Sequence, residues 1–472
     1  MQRLGIYAED SWRVTRQLTF NYGVRYQTTW GLFTGSGRSE AENAAYVTLQ
    51  ALQIGAVPSL PSDYRKQIAP RLGVAFSPGN GGKTVLRAGF GLFYDDLAQN
   101  GWATAFQGVN NSNFTTAGCS LVGGSGTYQL SGSGCLVGGA GATGNLVGSP
   151  YKTPYAMHVT GGAQHAFNNH WLVSADYVHE QGNHGYRAFP YSGGTNLFTP
   201  LIPASDPDYL TDQSNVVPNV NVFESDNRSS YNGLMLHLQG NLRRVDLVAN
   251  YTLSKAQTWG CLLGELFDYV DGVCPLQSGQ NTGFLDAFGP GDYGPSGEDV
   301  RHRVVLAGTV HLPGGFELTT VNQIESARPI TITNADNTAR IYVNGVYTSL
   351  DEFRGTPYIQ SDLRVTRPFQ INERLHVDPF IEFFNLFNRN NPGANFAVNV
   401  VQLPVPQSQM QPNPQGITNV TSICVVADCS QTAPITSLKQ LEIPEGALGD
   451  FFGPGTTVGI PFAAQVGLRI TF

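Results

Sequence analysis

The sequence predicts an all-β fold, a transmembrane antiparallel β-barrel of about thirteen strands, on three observations. Segments of about ten residues alternate apolar and polar side chains with period two. Short and long connections take turns between those segments. Composition suits a barrel better than the alternatives: of 472 residues only 13% are charged, while 55 are Gly, 26 Phe and 20 Tyr. That is too uncharged for disorder, and a mean hydropathy of -0.15 is too polar for a helical membrane protein. No apolar run approaches the roughly 18 residues that a spanning helix needs.

Alternation is clearest in four segments. Leu18, Phe20, Tyr22, Val24 and Tyr26 oppose Thr19, Asn21, Gly23, Arg25 and Gln27, and Leu234, Leu236 and Leu238 alternate with Met235, His237 and Gln239. Val245, Leu247, Ala249, Tyr251 and Leu253 oppose Asp246, Val248, Asn250, Thr252 and Ser254, with Val248 the one mismatch. Val466, Leu468, Ile470 and Phe472 oppose Gln465, Gly467, Arg469 and Thr471. Read the same way, the chain gives strands near 4–12, 17–30, 67–78, 83–94, 154–167, 171–180, 229–241, 245–255, 299–312, 316–327, 357–370, 374–388 and 460–472.

Connections give the direction of the barrel. Short turns with the Gly, Asn and Pro chemistry of hairpins fall at Arg13 to Arg16, Gly79-Asn80-Gly81-Gly82, Asn168-Asn169-His170, Leu242-Arg243-Arg244, Pro313-Gly314-Gly315 and Ile371-Asn372-Glu373. Between them lie Gly-, Ser-, Pro- and Asn-rich segments at about 31–66, 95–153, 181–228, 256–298, 328–356 and 389–459. Such lengths count against a compact soluble domain, whereas outer-membrane barrels pair short periplasmic turns with long extracellular loops. A propeller would repeat four strands at a fixed period, and a sandwich would show turn signals at both ends. Neither pattern is present. The expected arrangement is one partial barrel domain over 1–472, located in the bacterial outer membrane. Met1-Gln2-Arg3-Leu4 runs into a polar segment without an apolar signal-peptide core, so the chain is expected to be a piece of a longer exported protein.

Ordered motifs then carry a family resemblance. Tyr7-Ala8-Glu9-Asp10-Ser11-Trp12-Arg13-Val14-Thr15 followed by Leu18-Thr19-Phe20-Asn21-Tyr22-Gly23-Val24-Arg25-Tyr26 resembles a hairpin common in TonB-dependent receptors. Ala69-Pro70-Arg71-Leu72-Gly73-Val74-Ala75-Phe76-Ser77-Pro78, with Lys83-Thr84-Val85-Leu86-Arg87-Ala88-Gly89-Phe90-Gly91-Leu92-Phe93-Tyr94-Asp95, is similar to the next hairpin of the Oar-like receptors abundant in acidobacteria. Asp299-Val300-Arg301-His302-Arg303, Glu382-Phe383-Phe384-Asn385-Leu386-Phe387-Asn388 and Val466-Gly467-Leu468-Arg469-Ile470-Thr471-Phe472 complete the series. The resemblance implies the last part of a 22-stranded barrel whose lumen is plugged, with nine strands removed. It also implies energised uptake of an unidentified nutrient, with the TonB complex acting through a plug that these residues do not include. Competing functions are a surface adhesion or matrix-binding barrel and a passive porin.

Candidate sites follow from the alternation. Arg25, Arg71, Arg87, Arg301, Arg303, Arg364 and Arg469 fall on the polar, lumen-facing set. There they are either polar filler that pairs with plug carboxylates or a cationic path for an anionic ligand, and Arg25, Arg87, Arg301, Arg303 and Arg364 are the ligand-binding candidates. Trp102, Trp259, Tyr269 and Tyr293 are candidates for stacking on an extracellular ligand at the mouth, or for packing the loops themselves. Gly467, Ile470 and Phe472 resemble the C-terminal signal read by the barrel-assembly machinery, for which an apolar strand edge ending in an aromatic residue is a natural handle.

Other chemistry is weak. Ser77-Pro78-Gly79-Asn80-Gly81-Gly82-Lys83-Thr84 lacks the first Gly of a phosphate loop and reads strand to strand. His179-Glu180-Gln181-Gly182-Asn183-His184 spaces its two His by five and carries a helix-breaking Gly, unlike a zinc-protease helix. No catalytic triad emerges, so no enzyme and no cofactor or metal is expected. A formal charge of -8 without a basic cluster argues against nucleic acid. The six cysteines form three close pairs, Cys119 with Cys135, Cys261 with Cys274, and Cys424 with Cys429, each inside a different extracellular loop of an exported chain. Local disulfides are expected, each worth roughly 2 to 3 kcal/mol in the chain-entropy model. Mass spectrometry of non-reduced peptides should find these three links, and a link between Cys119 and Cys261 would overturn the loop assignment.

Overall fold

A computed structural model of the chain describes residues 2–30, 61–79, 81–95, 120–123, 128–131, 144–191, 220–259, 293–297, 299–332, 342–343, 346–347, 353–354, 357–389, 391, 399–400, 422–424, 431–434 and 461–472. Among the described residues no helix occurs. Thirteen strands of nine residues or more form one antiparallel meander: β1 (Gln2–Arg13), β2 (Leu18–Trp30), β3 (Ile68–Phe76), β4 (Thr84–Tyr94), β5 (Tyr155–Ala166), β6 (Trp171–Tyr191), β7 (Val220–Leu242), β8 (Val245–Trp259), β9 (His302–His311), β10 (Glu317–Glu325), β11 (Tyr358–Thr366), β12 (His376–Phe384) and β13 (Ala463–Thr471). Each pairs with its sequence neighbour. Three short pieces join the same sheet: Gly144–Val147 runs parallel onto β7, Tyr293–Pro295 antiparallel onto β8, and Phe369–Gln370 onto β12.

The strands form because alternation lets each bury one set of side chains in lipid while the ladder satisfies every backbone group. Turn chemistry sets their register. At three hairpins a side-chain oxygen accepts two successive backbone N–H groups. Thr15 Oγ1 accepts from Gln17 and Leu18, Asn168 Oδ1 from His170 and Trp171, and Asn372 Oδ1 from Arg374 and Leu375. Between β9 and β10, Gly314 and Gly315 both take φ near +80° (84° and 75°), a left-handed conformation that side chains disfavour. Ser77 to Thr84 is the turn between β3 and β4, so the strand-to-strand reading of that Gly-rich run holds.

Three strand limits extend well past the sequence reading. β6 continues to Tyr191 and β7 begins at Val220, so the ladder occupies residues assigned above to the 181–228 connection. The alternation fades there because the register shifts between Ser225 and Arg228, and a bulge breaks period two while leaving the pairing in place. Similarly, β8 runs on to Trp259.

Register carries one face through the whole sheet. Directly paired residues lie on the same side, so Arg25 shares a face with Tyr7 and Ala69, and Arg71 with Gly23 and Gly91. Arg87 lies with Gly162 and Asp176, Arg303 with Thr252 and Glu325, Arg364 with Thr319 and Glu382, and Arg469 with Asp378. Leu236, Leu247, Leu306 and Leu468 fall on the other side, together with most of the exposed large apolar residues, from Leu4 and Ile6 to Ile470. That apolar side is the lipid-facing one and the arginine side faces inward.

Glycines admit rings on both faces, Gly467 on the inner one and Gly240 on the lipid-facing one, in line with Leu236. A methyl group on Gly467 would meet the Phe380 ring within 2.8 Å, and one on Gly240 the Trp171 ring within 2.9 Å. Both glycines are cross-strand partners of the ring that covers them. As odd-numbered members of an antiparallel meander, β1 and β13 run in the same direction. Among the described residues β1 pairs only with β2 and β13 only with β12.

Candidate functional site

The inner face balances its charges in pairs. Arg87 grips Asp176 with two bonds, Nε to Oδ1 at 2.7 Å and Nη2 to Oδ2 at 2.5 Å, the two-pronged geometry that makes such pairs strong. Across β9 and β10, Arg303 Nε lies 2.9 Å from Glu325 Oε1. Arg364 Nε stands 3.2 Å from Glu382 Oε1, an ion pair without hydrogen-bond alignment, while its guanidinium rests 3.7 Å from the centroid of the Phe380 ring. Arg71 likewise sits 4.6 Å over Phe93. Arg25 donates to Gln27 Oε1 at 3.0 Å. His158 meets Glu180 at 3.0 Å, and His311 lies between Asp246 and Glu317. A shallow hollow over β1 to β3 is bounded by both faces, Tyr22 and Leu72 as well as Glu9 and Arg25, so it is no inner chamber.

Above this wall, the strand ends toward the long connections bury polar groups. Asp299 is the centre of one knot, with its side chain fully buried. Its Oδ1 accepts from the Ala256 N–H at 2.7 Å, and its Oδ2 takes Arg354 Nη2 at 2.5 Å and Arg301 Nη2 at 3.3 Å. Arg354 also donates to the Asp299 and Ala327 carbonyls, and Ser254 Oγ donates to the Val300 carbonyl at 2.7 Å. The knot therefore ties the top of β8, the approach to β9 and the segment holding Arg354. A second set gathers Gln67 and Thr153, whose side chains bond at 2.9 Å. Asn385 and Asn391 fasten the tops of β11 and β12, the latter through both the N–H and the carbonyl of Ile359.

His184 lies 13 residues beyond the start of β6, past the roughly 9 to 11 that a tilted strand needs to cross a bilayer. It takes a left-handed φ of 60° and meets Tyr155 edge-on at 5.4 Å. Burial first, and the nearby Lys152 ammonium second, hold its imidazole below the ordinary range, against the opposing pull of a hydrogen bond to the Thr153 backbone. The fold thus favours the neutral ring. Its contribution is full above the unfolded value near 6.5 and is lost as pH falls through the depressed folded value. Stability of the full chain in detergent should fall between pH 7.5 and 5, and His184→Asn, which tolerates that φ, should flatten the dependence. Equal slopes for both proteins would contradict this.

The structure brings together only some of the sequence candidates. Trp259 and Tyr293 meet, with ring centroids 5.0 Å apart, and their register sets them on the side of Leu247 and Leu253. Trp102 and Tyr269 lie outside the described residues, as do the side chains of all six cysteines. Of the latter, Cys424 is placed by its backbone alone, opposite Thr432 in a two-stranded ladder. Arg25, Arg87, Arg303 and Arg364 share the inner face along its length without converging on one point. Arg301 belongs to the Asp299 knot. Gly467 makes room for Phe380, Ile470 lies on the lipid side, and Phe472 is 96% exposed. Asp299 and Arg354 were not among the sequence candidates. Asp299 could have been read from its spacing to Arg301, whereas nothing in the sequence around Arg354 marks it.

One apolar and one charged face on a continuous antiparallel meander define the wall of an outer-membrane β-barrel. The chain belongs to the outer membrane beta barrel domain family, whose model matches residues 1–349, and its place is the outer membrane. Comparison with curated proteins finds no match. Solved structures with a similar chain path include the outer membrane transporter YddB from Escherichia coli, at 14% identity and a TM-score of 0.47, covering 82% of this chain and 41% of that one. The ferripyoverdine receptor of Pseudomonas aeruginosa gives 11% identity and 0.42, covering 82% and 35%. The ferric enterobactin receptor PfeA of the same organism gives 10% and 0.45, covering 99% and 45%. The chain thus spans less than half the length of these structures.

Proposed function

We propose that this chain is the wall of a TonB-dependent receptor of the Oar-like type, which imports an unidentified nutrient using energy from the inner membrane. Its TonB complex would act through a plug domain, and the barrel-assembly machinery would read the strand that holds Gly467, Ile470 and Phe472. The observation that carries the reading is the inner face. Arg25, Arg87, Arg303 and Arg364 line it at successive positions, three of them held by carboxylates: Glu325 and Glu382 on the neighbouring strand, and Asp176 two strands from Arg87. Such exchangeable pairs suit a path for an anionic ligand, because each guanidinium can trade its carboxylate for the ligand's anion without being left uncompensated. Trp102 and Tyr269 extend the candidate surface toward the outer mouth, whereas the register of Trp259 and Tyr293 sets them on the lipid side.

The test compares spent medium from producing cells with and without the gene, before and after an uncoupler collapses the proton gradient. Energised import predicts a compound whose depletion needs both the gene and the gradient. Depletion that survives the uncoupler would indicate a passive porin. Loss of surface attachment without any depletion would indicate an adhesive barrel.

A further inference from the structure

We propose that His179, Asn232 and Lys255, one outward row across β6, β7 and β8, form a binding site for the phosphate-bearing headgroup of an anionic lipid in the outer leaflet. The three are direct cross-strand partners: His179 faces Asn232, and Asn232 faces Lys255. They stand on the lipid side, two positions above Tyr177, Leu234 and Leu253.

Lys255 poses the problem that the site solves. Its side chain is exposed on a face that meets lipid, and it makes no hydrogen bond or ion pair among the described residues. A lysine on the lipid face costs about 2 to 4 kcal/mol at mid-bilayer and about 0 to 1 near an interface, so the row belongs at headgroup height. Height agrees on two counts. Ten residues separate Val245, at the short turn, from Lys255. At about 3.4 Å per residue and a tilt near 45° they climb about 24 Å, close to the apolar band of such barrels. Aromatic residues also cluster on the same face around that level: Tyr177, Tyr251 stacked on His302 at 6.2 Å, and the Trp259–Tyr293 pair.

The donors are arranged for an anion. Asn232 Oδ1 accepts from Tyr177 Oη at 2.7 Å and from His179 Nδ1 at 2.9 Å. Both bonds fall on the oxygen, which fixes the amide and leaves its Nδ2 hydrogens without a partner among the described residues, beside Lys255. The outward rows above and below, Gln181, Ser230 and Gln257, then Tyr177, Leu234, Leu253 and His302, contain no carboxylate. An ammonium and an amide donor without an acceptor among the described residues, at the level where lipid phosphates lie, select a negatively charged headgroup.

Native mass spectrometry of the full chain, purified from mixed vesicles of dioleoylphosphatidylglycerol and dioleoylphosphatidylcholine, tests this. Wild type should retain phosphatidylglycerol about fivefold over phosphatidylcholine, the ratio expected for one ammonium beside an anionic headgroup. Lys255→Gln and Asn232→Leu should lose that preference, while Lys83→Gln, at the opposite end of the wall, should keep it. Equal retention of the two lipids by wild type overturns the proposal whether or not the variants fold. Full preference in Lys255→Gln also overturns it, as does displacement of the lipid by millimolar inorganic phosphate, which would mark a site for a soluble anion.

Discussion

Asp299→Ala is expected to destabilise the folded chain by about 1.5 to 3 kcal/mol, the range for hydrogen bonds to a charged group, because its two guanidinium partners are each 35% exposed and keep access to water. The carboxylate is fully buried and serves two guanidiniums and one backbone N–H. Without it, Arg301 and Arg354 face each other with no intervening negative charge, and the Ala256 N–H loses its acceptor. Asp299→Asn keeps the acceptor for Ala256 but not the charge, so it should fall between Ala and wild type. Urea titration in detergent micelles, followed by the fluorescence of Trp259 three residues from Ala256, would report the change. If Asp299→Ala stays within about 1 kcal/mol of wild type, the level of an ordinary hydrogen bond, the knot is not what holds the tops of β8 and β9 together.

Period two made the wall legible. Each long strand was predicted because the alternation at Leu18–Gln27, Leu234–Gln239 or Val245–Ser254 has no other physical use, and Asn168, Asn372 and Gly314 punctuate it with local hydrogen bonds and backbone conformations that a sequence reports directly. What was not legible depends on long-range register. The irregularity between Ser225 and Arg228 hid the upper part of β7, because two offsetting register shifts interrupt period two while the ladder continues. Arg354 could not be singled out, since its partner Asp299 lies 55 residues away across a fold that only the coordinates define. Trp259 and Tyr293 read as loop aromatics because Gly- and Cys-rich sequence follows Trp259, yet unbroken pairing from Val245 upward assigns them a face.

Leu236→Arg should cost about 2 to 4 kcal/mol of folding stability in lipid vesicles, against little for His237→Arg at the adjacent position. The contrast isolates the face from everything else, because the two residues share a strand, a height and a ladder. Leu236 pairs with Ala175 and Tyr251, all on the apolar side, at about the middle of β7's crossing. There an arginine must either drag water inward or bend its stem toward an interface several residues away. His237 pairs with Ser174 and Asn250, and its Nδ1 lies 2.7 Å from Asn250 Oδ1. An arginine at that site keeps a polar neighbour and an aqueous surround, losing one hydrogen bond worth about 1 kcal/mol. Folding titrations of the two variants decide the matter: equal costs would mean that the sheet has no lipid side at this strand. The same equality would remove the basis for placing Arg87, Arg303 and Arg364 inward and Lys255 outward, since one register carries all four assignments.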